Sequence, residues 1–126
     1  MSAHEPTERG SATLLMVTVI ALLAAAAVGA AIIGVYLEAV HRARAGADLT
    51  AVSAAVEHSR GGAACRIAEQ VASRNEVRLI DCEVVAEPAE FAVSVTVEVP
   101  VNTRVGGLPR AVRARAHAGR VDEAPP

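Results

Sequence analysis

One long uncharged segment constrains this chain more than any other feature. No charged side chain occurs between Arg9 and Glu38, and the residues between them are mostly leucine, valine, isoleucine and alanine. A helix over residues 11–37 is roughly 40 Å long, which is enough to cross a hydrocarbon core of about 30 Å with some tilt. The segment therefore predicts a single transmembrane helix surrounded by membrane lipid, with the rest of the chain held at a membrane surface.

The remainder of the chain is one small domain with little aromatic content. The whole sequence has one Phe, one Tyr and no Trp, so alanine, valine, leucine and isoleucine must form the core. Domains of this size bury a modest core and usually need an additional constraint. If the domain faces an oxidising compartment, Cys65 and Cys82 are natural disulfide partners; the alternative is two buried thiols on the cytoplasmic side.

Charge and motifs argue against several classes of function. The net charge of −2 is too close to neutral for a protein that binds nucleic acid by neutralising phosphates. The cysteines do not form a C-x-x-C pair and the histidines are scattered, so we expect neither a metal site nor a cofactor. The sequence also lacks a nucleophile elbow and a glycine-rich phosphate loop, and we expect a structural protein rather than an enzyme.

Beyond the apolar segment, the pattern predicts an α+β fold. The helix continues into water over residues 38–60, because no strong breaker precedes Arg60-Gly61-Gly62. A short second helix over 63–74 and three antiparallel strands over 77–85, 91–99 and 111–118 follow. The predicted organisation is an N-terminal segment (1–10), a transmembrane helix (11–37), its extramembrane continuation (38–60), a small α+β head (61–120) and a disordered tail (121–126).

The extramembrane helix carries two stripes at helical spacing. The first is a stripe of small residues and includes Val40, Ala43, Ala47, Ala51 and Ala54. The second lies beside it and consists of Leu49, Val52 and Val56. This part of the helix is therefore predicted to be amphipathic.

Orientation in the membrane is left open by the residues alone. Arg42 and Arg44 follow the apolar segment, and the positive-inside rule then places the C-terminal domain in the cytoplasm, against the disulfide argument. The run AAAAVGAA also offers small residues for signal-peptide cleavage, although the apolar stretch is longer than an ordinary signal core. Three hypotheses remain: an anchored protein with an outward-facing head, a secreted small binding domain released by cleavage, and a cytoplasm-facing membrane adaptor.

Two surfaces are candidates for interaction. Ala26, Ala30 and Gly34 form a small-xxx-small face along which another membrane helix can approach closely. The stretch from Arg104 to Arg120 is strongly basic; it suits anionic lipid head groups or an acidic partner, or else protects an edge strand against aggregation.

Three segments resemble a known family. They are RGSAT (9–13) opening into the apolar run, HRARAGADLTAVSAA (41–55) just past it, and ACRIAEQVASRNEVRLIDC (64–82). The chain resembles the TadE-like proteins of high-GC Gram-positive bacteria, relatives of the minor pilins of tight-adherence (Flp-type) pilus systems. The resemblance implies an inserted protein with its N terminus inside and its C-terminal domain outside, which agrees with a disulfide.

The same resemblance implies partners and a processing site. Its partners would be other pilin-like or secretion-system membrane proteins, in a homo- or hetero-oligomer formed through the transmembrane helix. It implies export near a dedicated secretion ATPase, with assembly into or assistance of a pilus-like structure. Processing would fall between Gly10 and Ser11. The chain departs from the prepilin pattern at Leu15, where many prepilins carry a glutamate, so cleavage and filament formation both stay open.

Overall fold

The computed structural model of the protein describes residues 7–121, with side chains from residue 10 onward. Most of the predicted N-terminal segment (1–10) and of the predicted tail (121–126) lies outside this range. The elements are α1 (Thr7–Ser59), α2 (Ala64–Arg74), β1 (Arg78–Ala86), β2 (Phe91–Pro100) and β3 (Ala111–Arg120). The predicted α+β fold is confirmed: a long apolar N-terminal helix, a short second helix and a three-stranded antiparallel sheet of order β1-β2-β3.

The chain divides into two compact units, one ending at Gly34 and the other beginning at Val35. The first unit contains the apolar part of α1. Its large side chains are exposed, as in Leu14 at 71% and Leu23 at 65%. Within the part of the chain that the structure describes, one helix is long and apolar enough to cross a membrane, judged by length and composition.

The second unit has a core of small side chains. The buried residues of α1 are all small except Thr50: Ala39, Ala43, Gly46, Ala47, Thr50, Ala51, Ala54 and Ala55. The alanines share one cluster with buried alanines of α2 and with Val93, Val95 and Val97 of β2. Alanine at successive helical turns leaves little side-chain bulk on this face of α1. The alanines of the first predicted stripe are thus buried and Val40 is only partly so, whereas Leu49, Val52 and Val56 stay about half exposed.

The helices end where local signals predict. The turn after α1 uses Gly61 with φ of 81°, a left-handed conformation that glycine adopts without steric cost. Asn75 caps the C-terminal end of α2. Its backbone N–H donates to the carbonyl of Ala72, and its side-chain amide donates to the carbonyl of Val71 at 2.8 Å. The chain then reverses through Glu76, with φ of 56°, and enters β1.

Register in the sheet decides which side chains reach the core. Strand β2 pairs with β3 along its whole length and with β1 from Phe91 to Glu98, and its odd-numbered valines point into the core. The pairing of β1 with β2 shifts between Leu79 and Asp81, so Ile80 is an extra residue in β1. Because of this bulge, Leu79 and Cys82 both pack against the core although their spacing is odd.

Candidate functional site

The predicted helix-packing face lies in the first unit and is fully accessible. Ala26, Ala30 and Gly34 are exposed and recur every four residues along α1, so they form one narrow ridge of small side chains. A Cβ built on Gly34 would meet no atom within 4 Å. A surface of this kind allows the backbone of another helix to come close, which is the geometry that favours association in lipid.

One hydroxyl group in this part of α1 is suited to an apolar environment. The hydroxyl of Thr18 donates to the carbonyl of Leu14 at 2.8 Å, which satisfies it within the helix itself. The predicted processing pair, Gly10 and Ser11, lies near the start of α1, and both residues are exposed. Nothing in the geometry tests cleavage between them, and it stays a prediction.

The predicted disulfide between Cys65 and Cys82 is formed. The two sulfurs are bonded and the Cα atoms lie 5.8 Å apart. Cys65 is in the first turn of α2, and Cys82 lies opposite Val95 in the middle of the sheet. The bond therefore fastens the second helix to the sheet in a domain whose core has almost no large side chains. Its 17-residue separation corresponds to a stabilisation of about 3 kcal/mol in the chain-entropy model.

A buried carboxylate joins all three strands at one end of the sheet. Glu98 of β2 is only 5% exposed and lies between Arg78 of β1 and Arg113 of β3, its partners in register. Arg113 donates from Nε to Oε2 of Glu98 at 2.8 Å, and a guanidinium nitrogen of Arg78 donates to Oε1. Hydrogen bonds from Arg113 and then from Arg78 lower the pKa of Glu98 from its ordinary value of 4.5.

The sequence prediction did not find this cluster. The alternation of β2 places Glu98 on the face away from the valines, where a solvated side chain is the ordinary expectation. The burial of its carboxylate depends on the two arginines, which come from strands 20 and 15 residues away in sequence. A glutamate inside a run of valines was the available signal, but the register that gives it partners is not visible in the sequence.

The basic stretch forms a free edge of the sheet. Arg113, Arg115 and His117 alternate along β3 with the small residues Ala114 and Ala116, which face the core. The basic side chains are exposed on the opposite face. In the described part of β3, only Arg113 has an ion-pair partner. The predicted edge strand is thus observed, and its basic side chains are accessible to a partner.

No feature of the described residues indicates a metal centre, since no group of three or more histidine, cysteine, aspartate or glutamate side chains is placed to hold an ion.

Comparison of the chain with family models, curated proteins and solved structures finds no match. What the structure establishes is the class of molecule: an α+β protein with an apolar helix of membrane-spanning length and one disulfide. Assignment to the TadE-like family depends on the sequence motifs and is a proposal.

Proposed function

We propose that this protein is a single-pass component of the cell envelope. It acts structurally, through helix packing, as a TadE-like pilin-like or accessory component of a tight-adherence-type pilus or secretion apparatus. The observation that carries the proposal is the exposed apolar part of α1 with its ridge of small residues. Bare apolar surface of this extent is unfavourable in water, and lipid or another helix must cover it. The proposed assignment to the TadE-like family is based on the motifs in 9–13, 41–55 and 64–82.

The disulfide supports a head outside the cytoplasm. Disulfides persist in oxidising compartments and are rare where thiols are kept reduced. The bond between Cys65 and Cys82 joins the parts of a domain that has few other sources of stability. We therefore propose the cell membrane as the location, with the N terminus inside and the second unit outside. The two arginines at 42 and 44 oppose this orientation weakly, and one of them, Arg42, is paired with Glu38 at 3.1 Å.

The orientation and the anchor are tested by the intact mass of the protein isolated from its native host without reducing agent. A species that retains residues 11–37 and is two hydrogens lighter than the reduced chain agrees with an anchored, outward-facing protein, whether or not cleavage occurs after Gly10. A mass that begins beyond about Ala27 contradicts it and indicates a secreted domain. Two free thiols in freshly alkylated cells indicate a cytoplasm-facing adaptor.

The helix-packing mechanism is tested by enlarging the ridge. Ala30→Leu and Gly34→Leu add bulk where close approach is proposed, so co-purification with partner subunits, or self-association in micelles, should fall. Ala21→Leu is the matched control because position 21 lies on the opposite side of the helix from the ridge and is also an exposed alanine. Equal association of all three variants and the parent would contradict helix packing along this face.

A further inference from the structure

The sheet has a face that no described element covers. We call it the outer face, and it is the side opposite the valine core. Cys82 and Val84 of β1 pack against the core, so Asp81 and Glu83, which alternate with them, lie on the outer face. All of its charged residues are exposed apart from Glu98.

Two neighbouring rows across the outer face have the same order of charges. In each row an acidic residue of β1 is followed by a hydroxyl residue of β2 and a basic residue of β3. The register gives these rows as Asp81, Thr96 and Arg115, and Glu83, Ser94 and His117. The hydroxyl of Ser94 and Nδ1 of His117 are 2.6 Å apart, which holds the imidazole on this face.

The charges of these rows are not compensated within the described residues. The adjacent row has its own internal balance, because Glu98 holds both Arg78 and Arg113. Asp81, Glu83 and Arg115, in contrast, have no ion-pair partner within 4.0 Å in the described part of the chain. One edge of the sheet therefore carries unpaired acidic groups and the other unpaired basic groups.

Both edges have free hydrogen-bonding groups, because β1 and β3 each pair only with β2 in the described chain. The two edge strands also run in the same direction, since each is antiparallel to β2. A copy displaced sideways in the plane of the sheet consequently sets its β1 against the β3 of the first, with the outer faces aligned. This contact is heterologous, so each copy keeps one edge available for the next.

We infer that the occupant of the basic β3 edge is the acidic β1 edge of a second copy of this chain, with Asp81 and Glu83 of one copy beside Arg115 and His117 of the other. Charge on an edge strand commonly prevents pairing, and like edges here do repel each other. Unlike edges attract, because opposite charges on neighbouring strands stabilise a sheet. The charge pattern therefore favours contact between β1 of one copy and β3 of the other, and it disfavours contact between two β1 edges or two β3 edges. It does not depend on the assignment to a pilus system.

The test measures self-association of the full chain in mild detergent micelles. It compares four proteins: the parent, two double variants and one quadruple variant. Asp81→Arg with Glu83→Arg makes both edges basic, and Arg115→Glu with His117→Glu makes both edges acidic. Each double variant should associate about tenfold more weakly than the parent, because like charges then face each other. The quadruple variant exchanges the signs of the two edges and should regain self-association.

An equimolar mixture of the two double variants supplies the decisive comparison. The basic edges of one variant now meet the acidic edges of the other, so the mixture should associate as the parent does. This association should weaken as salt is raised. Contacts through α1 are the same in every sample and cannot produce this pattern. The intact disulfide and the emission of Tyr36 confirm that each variant is folded.

Two results of the association measurements would overturn the inference. One is unchanged self-association of both double variants, and the other is failure of the folded mixture and quadruple variant to recover. Vesicles containing phosphatidylglycerol, added to the same proteins, separate a lipid surface from a protein partner. If only the variant with glutamates at 115 and 117 loses vesicle binding, while reversal at 81 and 83 leaves self-association intact, the β3 edge binds lipid and the inference is wrong.

Discussion

Gly46 is the glycine of α1 at which the structure gives a packing reason for the missing side chain. It is buried in the middle of the helix, and a Cβ built there would lie 2.7 Å from Cγ1 and 2.9 Å from Cγ2 of Val77. Val77 is itself 4% exposed, and its backbone N–H donates to the carbonyl of Ala72 at 3.1 Å. Because both methyl groups face the glycine and valine is stiff at χ1, the side chain has no simple way to move aside.

Two opposing effects set the expected result of Gly46→Ala. Replacing glycine with alanine inside a helix is favourable by about 1 kcal/mol. Forcing a methyl group into a packed site costs about 1–3 kcal/mol. We expect the cost to exceed the gain and the free energy of unfolding to fall by about 1 kcal/mol. In a Val77→Ala background the methyl groups are gone, and the same change should instead stabilise the protein by about 1 kcal/mol.

The measurement is a double-mutant cycle on the full chain in micelles, unfolded with urea. Tyr36 is the only tyrosine and the chain has no tryptophan, so its emission is a specific probe. Its hydroxyl donates to the carbonyl of Pro109, in the connection between β2 and β3, and the emission therefore follows loss of tertiary structure. We expect a coupling of about 2 kcal/mol between the two sites. Effects of Gly46→Ala that are equal in both backgrounds, within about 0.5 kcal/mol, would refute the steric argument.

Two further predictions concern the covalent and ionic links of the head. Replacing both Cys65 and Cys82 with alanine should lower the free energy of unfolding by about 3 kcal/mol, measured by the same urea titration. Once the parent is reduced, the parent and the variant should have the same free energy of unfolding. Glu98 has a lowered pKa in the folded state. Its ionised carboxylate therefore stabilises the fold fully at a pH above the ordinary glutamate pKa, and this stabilisation is lost as the pH falls through the lower pKa of the folded state. Glu98→Gln should therefore be less stable than the parent near neutral pH, and the difference in unfolding midpoint should shrink as the pH is lowered from about 7 to about 3. A difference that stays constant over this range would contradict the assigned role of the carboxylate.

Much of the fold was predictable because its signals are local. The end of α1 follows from the glycines after Ser59, and the alternation of β2 predicts a strand with one valine face. The needs of a small domain favoured a disulfide between the two cysteines over two buried thiols, and the structure contains that bond. In each case a few neighbouring residues, or composition alone, carry the information.

The sites were predictable in part. The ridge of Ala26, Ala30 and Gly34 is exposed as its spacing implies, and its packing role stays a prediction. The basic edge strand was also recognised, but its acidic counterpart on β1 was not. The two edges are related only through the register of β2 with both neighbours, and the bulge at Ile80 shifts that register by one residue.

The helices, the strands and the apolar segment follow from the sequence alone, since each depends on the period, length or composition of a short stretch of chain. The same sequence makes Cys65 and Cys82 candidate disulfide partners. Tertiary packing and strand pairing, in contrast, bring Gly46 against Val77, enclose Glu98 between two arginines and place opposite charges on opposite edges of the outer face. These features join residues 15 to 34 positions apart. Their geometry arises from packing and strand register, and no local pattern of residues encodes it.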